Sequence, residues 1–207
     1  VIREKTAAKA KRPFWLELPA LLLVAVVVAL LFRTFVVQTF YIPSGSMENT
    51  LLVNDRVLVN KLVYDVRDPR RGEVVVFVSP LSWRSNTSET DFIKRVVGLP
   101  GDTVACCDPQ GRVTVNGQPL DEKSYLYPNN VPSLRTFSVV VPKGRLFVLG
   151  DHREVSGDSR EHLGENHGTI SEDSVVGRAF IVFWPVNRIS FLPVPDTFSR
   201  IPDPAEN

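Results

Sequence analysis

The chain has 207 residues, with 24 Lys and Arg against 23 Asp and Glu and a formal charge of +1. That balance excludes the strongly basic profile from which nucleic-acid binding is read, and it matches an ordinary solvated surface. Its three histidines, His152, His162 and His167, have no compact metal-ligand spacing, so neither a metal centre nor a cofactor is expected.

The N-terminal segment sets Arg3, Lys5, Lys9, Lys11 and Arg12 against a single Glu4, and an uncharged run of 15 residues, Leu18 to Phe32, follows. Fifteen is short against the roughly 20 residues of a spanning helix. Taking in Phe14 to Val37 restores the length if Glu17 and Arg33 snorkel to opposite interfaces. The expectation is a cytoplasmic basic segment over 1–13 and a single-pass cell-membrane anchor over 14–37, with the remainder outside by the excess of positive charge on the leading flank. A cleaved signal peptide is the rival. It lacks a small-x-small site after the apolar run, where Thr34 to Tyr41 are bulky and β-branched. A buried core helix fits the basic prefix poorly.

Just beyond the anchor, Ile42-Pro43-Ser44-Gly45-Ser46-Met47 is a small-residue turn that presents the Ser46 hydroxyl. Asp55 to Lys61 alternates as a strand, Asp68 to Gly72 is a turn, and Glu73 to Val78 is a continuous apolar run suited to a buried strand. Phe92 to Val97 is a further strand, closed by Gly98 to Asp102. Val113 to Val115 leads into a hairpin through Asn116-Gly117, because Asn-Gly supplies the positive φ of a tight turn.

Residues 104–143 are richer in Pro, Asn, Ser and Gln and read as a smaller inserted lobe. Within them Cys106 and Cys107 are adjacent. Across a trans peptide their Cα atoms stand about 3.8 Å apart, closer than the usual disulfide span of about 4.4 Å or more. A structural or incidental pair is therefore favoured over a redox centre, with the bonding state open. Arg145 to Gly150 returns to core-strand composition, Gly157 to Gly168 is loop, and Ser171 to Ser174 suggests an N-capped helical turn. Val175 to Trp184 is the last strand, ended by Pro185, and 196–207 is a tail. The fold class is mainly β, with residues 38–103 and 144–195 forming the principal extracytoplasmic domain.

A serine needs a partner to take its proton, and here the candidates are a lysine or a histidine. Alternation in Asp91 to Val97 points Lys94 to the face of Phe92 and Val96. Desolvation there lowers the amine from about 10.4 toward neutrality, as a general base requires. The plainer alternative is a lysine that reaches solvent from an edge strand.

Four segments together carry a resemblance: Ile42 to Met47; Arg71 to Phe77; Lys94 to Asp102; and Gly150-Asp151-His152-Arg153-Glu154-Val155-Ser156-Gly157-Asp158-Ser159-Arg160. In this order and behind an N-terminal anchor, they resemble the signature boxes of bacterial type I signal peptidases over about residues 15 to 185. The resemblance implies a Ser-Lys endopeptidase with a signal-peptidase-like catalytic β-sheet lobe, a smaller inserted β lobe and one transmembrane helix. It assigns Ser46 as nucleophile, Lys94 as base and Ser44 as an oxyanion-hole hydroxyl beside the Ser46 N–H. Ser156 becomes the hydroxyl that orients the lysine, with Asp158 and Arg160 as supports. The substrates it implies are signal peptides of exported preproteins, bound as extended strands with Ala-x-Ala before the cut. Walls matching the substrate pockets are Ile42, Pro43, Met47, Leu51, Phe92 and Ile93; their alternative is hydrophobic core, nearly as good a reading for Leu51 and Ile93. Membrane lipid and the neighbourhood of the secretion translocon are the implied surroundings, and Trp184, Phe183, Phe191 and Leu192 are candidates for lipid contact, with ordinary packing at least as good a reading.

The last box departs from Gly-Asp-Asn-Arg-Asp-Asn-Ser-x-Asp-Ser-Arg at His152, Glu154 and Val155, which is expected to alter loop hydrogen bonding. His152 leaves a Ser-His pairing open. Two other classes also remain at this point, an anchored non-enzymatic β domain and a Ser-Lys autoprotease. The expected anchor argues against the second, whose cytosolic role would also call for an N-terminal DNA-binding module.

Overall fold

The computed structural model describes residues 18–19, 21–27, 36–86 and 88–204. Residues 18–19 and 21–27 are helical and exposed, and the basic segment 1–13 and most of the expected 14–37 anchor lie outside the described residues. Among the described residues no helix is long and apolar enough to cross a membrane. Val37, expected as the last anchor residue, is instead extended and opens β1 (Val37–Tyr41).

β1 pairs with β2 (Arg56–Asn60), from Val37 opposite Asn60 to Tyr41 opposite Arg56. The principal sheet adds β3 (Val74–Val78), β4 (Asp91–Gly98), β9 (Arg145–Leu149), β10 (Ile170–Ser171), β11 (Val175–Trp184) and β12 (Ser190–Phe191). Its order is β1-β2-β11-β3-β4-β9-β10, with antiparallel neighbours. The ten residues of β11 pair with β2 along one edge and with β3 and then β12 along the other.

β3 explains its own unbroken apolar run. Alternate residues of a strand face opposite ways, and here both faces are covered. Val74 and Val76 enter a cluster with Met47, Leu51, Val57 and Val182, while Val75 and Phe77 enter another with Trp83, Val96, Leu146 and Val148. A central strand buried on both sides has no polar face to alternate with.

A second antiparallel sheet, ordered β7-β6-β5-β8, comprises β5 (Thr103–Cys106), β6 (Val113–Val115), β7 (Gln118–Pro119) and β8 (Phe137–Val140). Asn116 and Gly117 turn the β6–β7 hairpin at φ 52° and 77°, the pair of positive angles that a two-residue turn of this hand needs. The core of this sheet is continuous with that of the first: Val104, Val113 and Val115 pack in one cluster with Val97, Phe147 and Leu149.

Residues 196–207, expected as a tail, begin with a tight helical turn, Asp196–Arg200. Phe198 and Ile201, seven and ten residues beyond the last strand, join the same cluster, because two large apolar side chains gain by leaving water. Cys106 and Cys107 are joined as a disulfide across their own cis peptide bond. At Glu172–Ser174 a helical turn does form, but the Ser171 side chain makes no cap bond. Ser174 Oγ instead donates to the Ser171 carbonyl at 2.6 Å.

Candidate active site

Ser46 lies on the connection between β1 and β2, which is closed by Ile42 N–H donating to Asp55 O and Asn54 N–H to Ile42 O, each at 2.9 Å. Within it, Glu48 N–H bonds to Gly45 O and Leu51 N–H to Met47 O. Met47, Ile42 and Leu51 drive this turn onto the sheet, each 2% exposed or less. The turn thus sits over β2, β11 and β3, and the Ser46 hydroxyl meets Lys94 Nζ at 2.8 Å.

Lys94 is 4% exposed and its amine also donates to the Ile93 carbonyl at 3.0 Å. The ammonium-bearing end stands 5.5 Å from the centre of the Phe92 ring, the face that strand alternation assigns it. Burial lowers the Lys94 pKa from 10.5 to about 8, with the charges of Asp158 and Asp151 opposing part of the fall. An amine with that affinity is substantially neutral in mildly alkaline water and can accept a proton from the hydroxyl it touches.

The segment after β9 secures the other side of the turn. Asp158 accepts from the Gly150 N–H and from both Arg160 Nε and Nη2, and Arg160 Nη2 also donates to Arg153 O. Burial pushes the Asp158 carboxyl up, but the Arg160 contacts and the Gly150 N–H outweigh it and hold the pKa below the ordinary value. Asp151 is clasped by Arg95 at 2.9 and 2.6 Å and accepts from Thr50 Oγ1, which ties β4 to the turn. His152 N–H donates to Ser46 O at 3.1 Å. Gly150 makes this approach sterically possible, since a Cβ there would overlap both Ser156 Oγ and the Ser46 carbonyl.

A cleft of about 380 Å³ opens beside Ser46 and Lys94. Of the expected wall residues, Pro43, Phe92 and Ile93 line it, with Ser44 at its rim. Ile42, Met47 and Leu51 do not: they are core residues beneath the cleft, with no surface left for a substrate. Ser156 also differs from expectation. Its hydroxyl is buried, makes no hydrogen bond to Lys94, and is among the groups that lower the Asp158 pKa. Phe40, Tyr41, Trp83, Val155 and Gly157 also line the cleft, together with Ser85, Ser88 and Glu89 to Asp91, and none of these was foreseen. Only for Phe40 and Tyr41 was there a signal, as β-formers directly before the turn. A larger cleft of about 810 Å³ lies past Asn49 and Thr50 and includes neither Ser46 nor Lys94.

The imidazole of His152 is engaged elsewhere, by Glu48 Oε2 at 3.0 Å and by stacking on Tyr127. Among the described residues, Lys94 is the side chain that hydrogen-bonds the Ser46 hydroxyl.

Residues 15–184 match the family described as signal peptidase, peptidase S26. The chain belongs to that family. It is 42% identical over 194 residues to a "Probable signal peptidase I-2" of Synechocystis, covering 93% of this chain and 84% of the relative. A "Signal peptidase I" of Leptolyngbya laminosa is 43% identical over 176 residues, 84% of this chain and 82% of that one. A crystal structure of a signal peptidase I from Enterococcus faecalis overlays with a TM-score of 0.40 at 30% identity, covering 55% of this chain and 97% of the other. Membership rests on the sequence matches. The S26 peptidases are serine endopeptidases, so the chain is a peptide-bond hydrolase.

Proposed function

We propose that this S26 peptidase removes N-terminal signal peptides from exported preproteins after Ala-x-Ala, using Ser46 as nucleophile and Lys94 as base. The observation that carries the reading is the 2.8 Å contact between Ser46 Oγ and an amine whose pKa burial brings to about 8.

Neutral Lys94 takes the Ser46 proton as the oxygen attacks the carbonyl carbon at the cut. The Ser46 N–H and the Ser44 hydroxyl receive the negative charge on the carbonyl oxygen. The lysine proton then passes to the departing amine of the mature protein, leaving the signal peptide esterified to Ser46. Water, deprotonated by the same amine, releases the acid and restores the hydroxyl.

The sheet supports extended binding of the substrate. β1 is an edge strand, and in β4 the pairing with β9 begins only at Arg95, so Asp91 to Lys94 have an open edge. Both open edges border the cleft that holds Ser46. A substrate strand laid between them gains main-chain hydrogen bonds on two sides, the usual economy of β-augmentation. Pro43, Phe92 and Ile93 then crowd side chains near the cut and favour small ones.

The setting proposed is the cell membrane, with an anchor over 14–37, a cytoplasmic N-terminus and the catalytic domain outside, near the translocon that delivers preproteins. Exposed Tyr41, Trp184, Ile189 and Phe191 suit a lipid surface. Tyr41 and Trp184 flank Arg56 in neighbouring strands, at the end of the sheet that borders the cleft.

The test is cleavage of a preprotein by the full chain in detergent. Ser46→Ala and Lys94→Ala are each expected to lower kcat/KM by about 10⁴-fold. In the parent, kcat/KM rises with pH through an apparent pKa of about 8, because only the unprotonated lysine of the free enzyme accepts the proton. Full activity of either variant, or unchanged turnover well below pH 6, would sink the assignment.

A further inference from the structure

Glu48 is in the turn that carries Ser46 and His152 packs on it, and neither lines the cleft. The Glu48 carboxylate folds back over Gly45: a Cβ added at Gly45 would stand 2.9 Å from Glu48 Cδ and 3.1 Å from each carboxylate oxygen. His152 Nδ1 meets Glu48 Oε2 at 3.0 Å. An ionised carboxylate only accepts, so Nδ1 carries the proton and donates. The imidazole cannot easily swing away, because it stacks on Tyr127 with ring centres 3.8 Å apart and planes 10° from parallel. Tyr127 is held in turn by its N–H bond to Asp151 O at 2.9 Å.

The same histidine reaches the turn twice, through its ring to Glu48 and through its N–H to Ser46 O. Between these two contacts lies the Gly45–Ser46 peptide, whose N–H has no acceptor among the described residues. We infer that Glu48 and His152 are a positioning pair that fixes this peptide plane, aiming the Ser46 N–H at the oxyanion; the inference rests on the Ser46–Lys94 reading above. Glycine at 45 is part of the device, since it leaves the seat that the carboxylate occupies.

The pair is poorly placed to act through stability. The two side chains are 28% and 12% exposed, and a partly solvated side-chain hydrogen bond contributes about 1 kcal/mol or less. Misdirecting a donor by a fraction of an ångström, by contrast, acts on the transition state and not on substrate binding. The signature is therefore in kcat.

Glu48→Ala, His152→Ala and Gly45→Ala in the full chain each lower kcat by about 10- to 100-fold, with KM within about twofold. Combining Glu48→Ala with His152→Ala costs no more than the worse single change, since one contact is lost in every case. A peptide boronate, whose boron bonds the Ser46 oxygen while the proton passes to Lys94, binds the variants more weakly by the same factor as kcat falls. Glu48→Gln recovers part of the loss because its amide oxygen still accepts from Nδ1–H. Melting temperatures stay within about 2 °C of the parent. Additive losses, a change confined to KM, or full kcat in Glu48→Ala would overturn the pairing. Ser46→Ala assayed alongside separates the two levels: if it is inactive while the Glu48 and His152 variants keep full kcat, the positioning role alone fails.

Discussion

Lys94 is a charged residue type placed where charge is costly, and the cost has a direction in pH. Unfolded, the amine titrates at its ordinary 10.5; folded, it titrates at about 8. Below pH 8 both states are protonated and the folded state carries the full desolvation cost. Between 8 and 10.5 the unfolded state holds more proton, so stability rises with pH, and above 10.5 the cost is gone. Replacing the amine by an isosteric apolar chain, Lys94→Met, is therefore expected to stabilise the protein at pH 7 by about 2 kcal/mol after losing the bond to Ser46. For a chain of this size that raises the melting temperature by about 4–8 °C. Thermal scans by circular dichroism check it, together with a gap that narrows as pH approaches 10. A variant no more stable than its parent at pH 7 would mean that the amine is not desolvated. Such a gain alongside lost activity is the pattern of a site that gives up stability for reactivity.

At the scale of elements, the end of β9 meets the turn so closely that one hydrogen atom must serve as a side chain. Gly150→Ala is expected to lower kcat about 100-fold by displacing the Ser46 carbonyl and to cost about 1–3 kcal/mol of stability. Gly164→Ala, with open space at its Cα, leaves both unchanged; equal behaviour of the two variants in a preprotein assay would refute the close-approach argument. The strands around this junction were largely legible. Glu73 to Val78, Phe92 to Val97 and Val175 to Trp184 carry enough apolar or alternating residues to announce themselves, and the facing of Lys94 followed from alternation alone. β1 was not legible, because its Val and aromatic residues continue the apolar run before it and share its hydropathy. β10 and β12, two residues each, are too short for any period. Depth was equally hidden: the family resemblance made Ile42, Met47 and Leu51 pocket walls, and a sequence shows that a residue is apolar and near the nucleophile, not whether it lies above or below the surface. The Glu48–His152 contact joins residues 104 positions apart and has no local trace.

For the whole molecule, the two sheets share a continuous core, and exposed Tyr41 and Trp184 flank Arg56 where β1, β2 and β11 end, while exposed Phe191 stands on β12 beside the larger cleft. In vesicles, the double change Trp184→Ser and Phe191→Ser is expected to raise KM for a membrane-bound preprotein about 10-fold. Cleavage of a short soluble peptide by the same variant stays within about twofold of the parent; equal effects on both substrates would place the aromatics in folding rather than in lipid contact. β1 adds a consequence of length. From Val37 to Tyr41 the backbone is a paired strand of five residues, about 17 Å from end to end, and the reactive hydroxyl follows five residues later. With the preceding helix embedded and Tyr41 resting on lipid as proposed, both ends of this strand stay at the membrane surface, so β1 carries Ser46 sideways from the anchor at a fixed height, and that height is a built-in ruler. Preproteins would then be sorted by the count of residues between their own apolar segment and the bond to be cut, independently of which small side chains flank it.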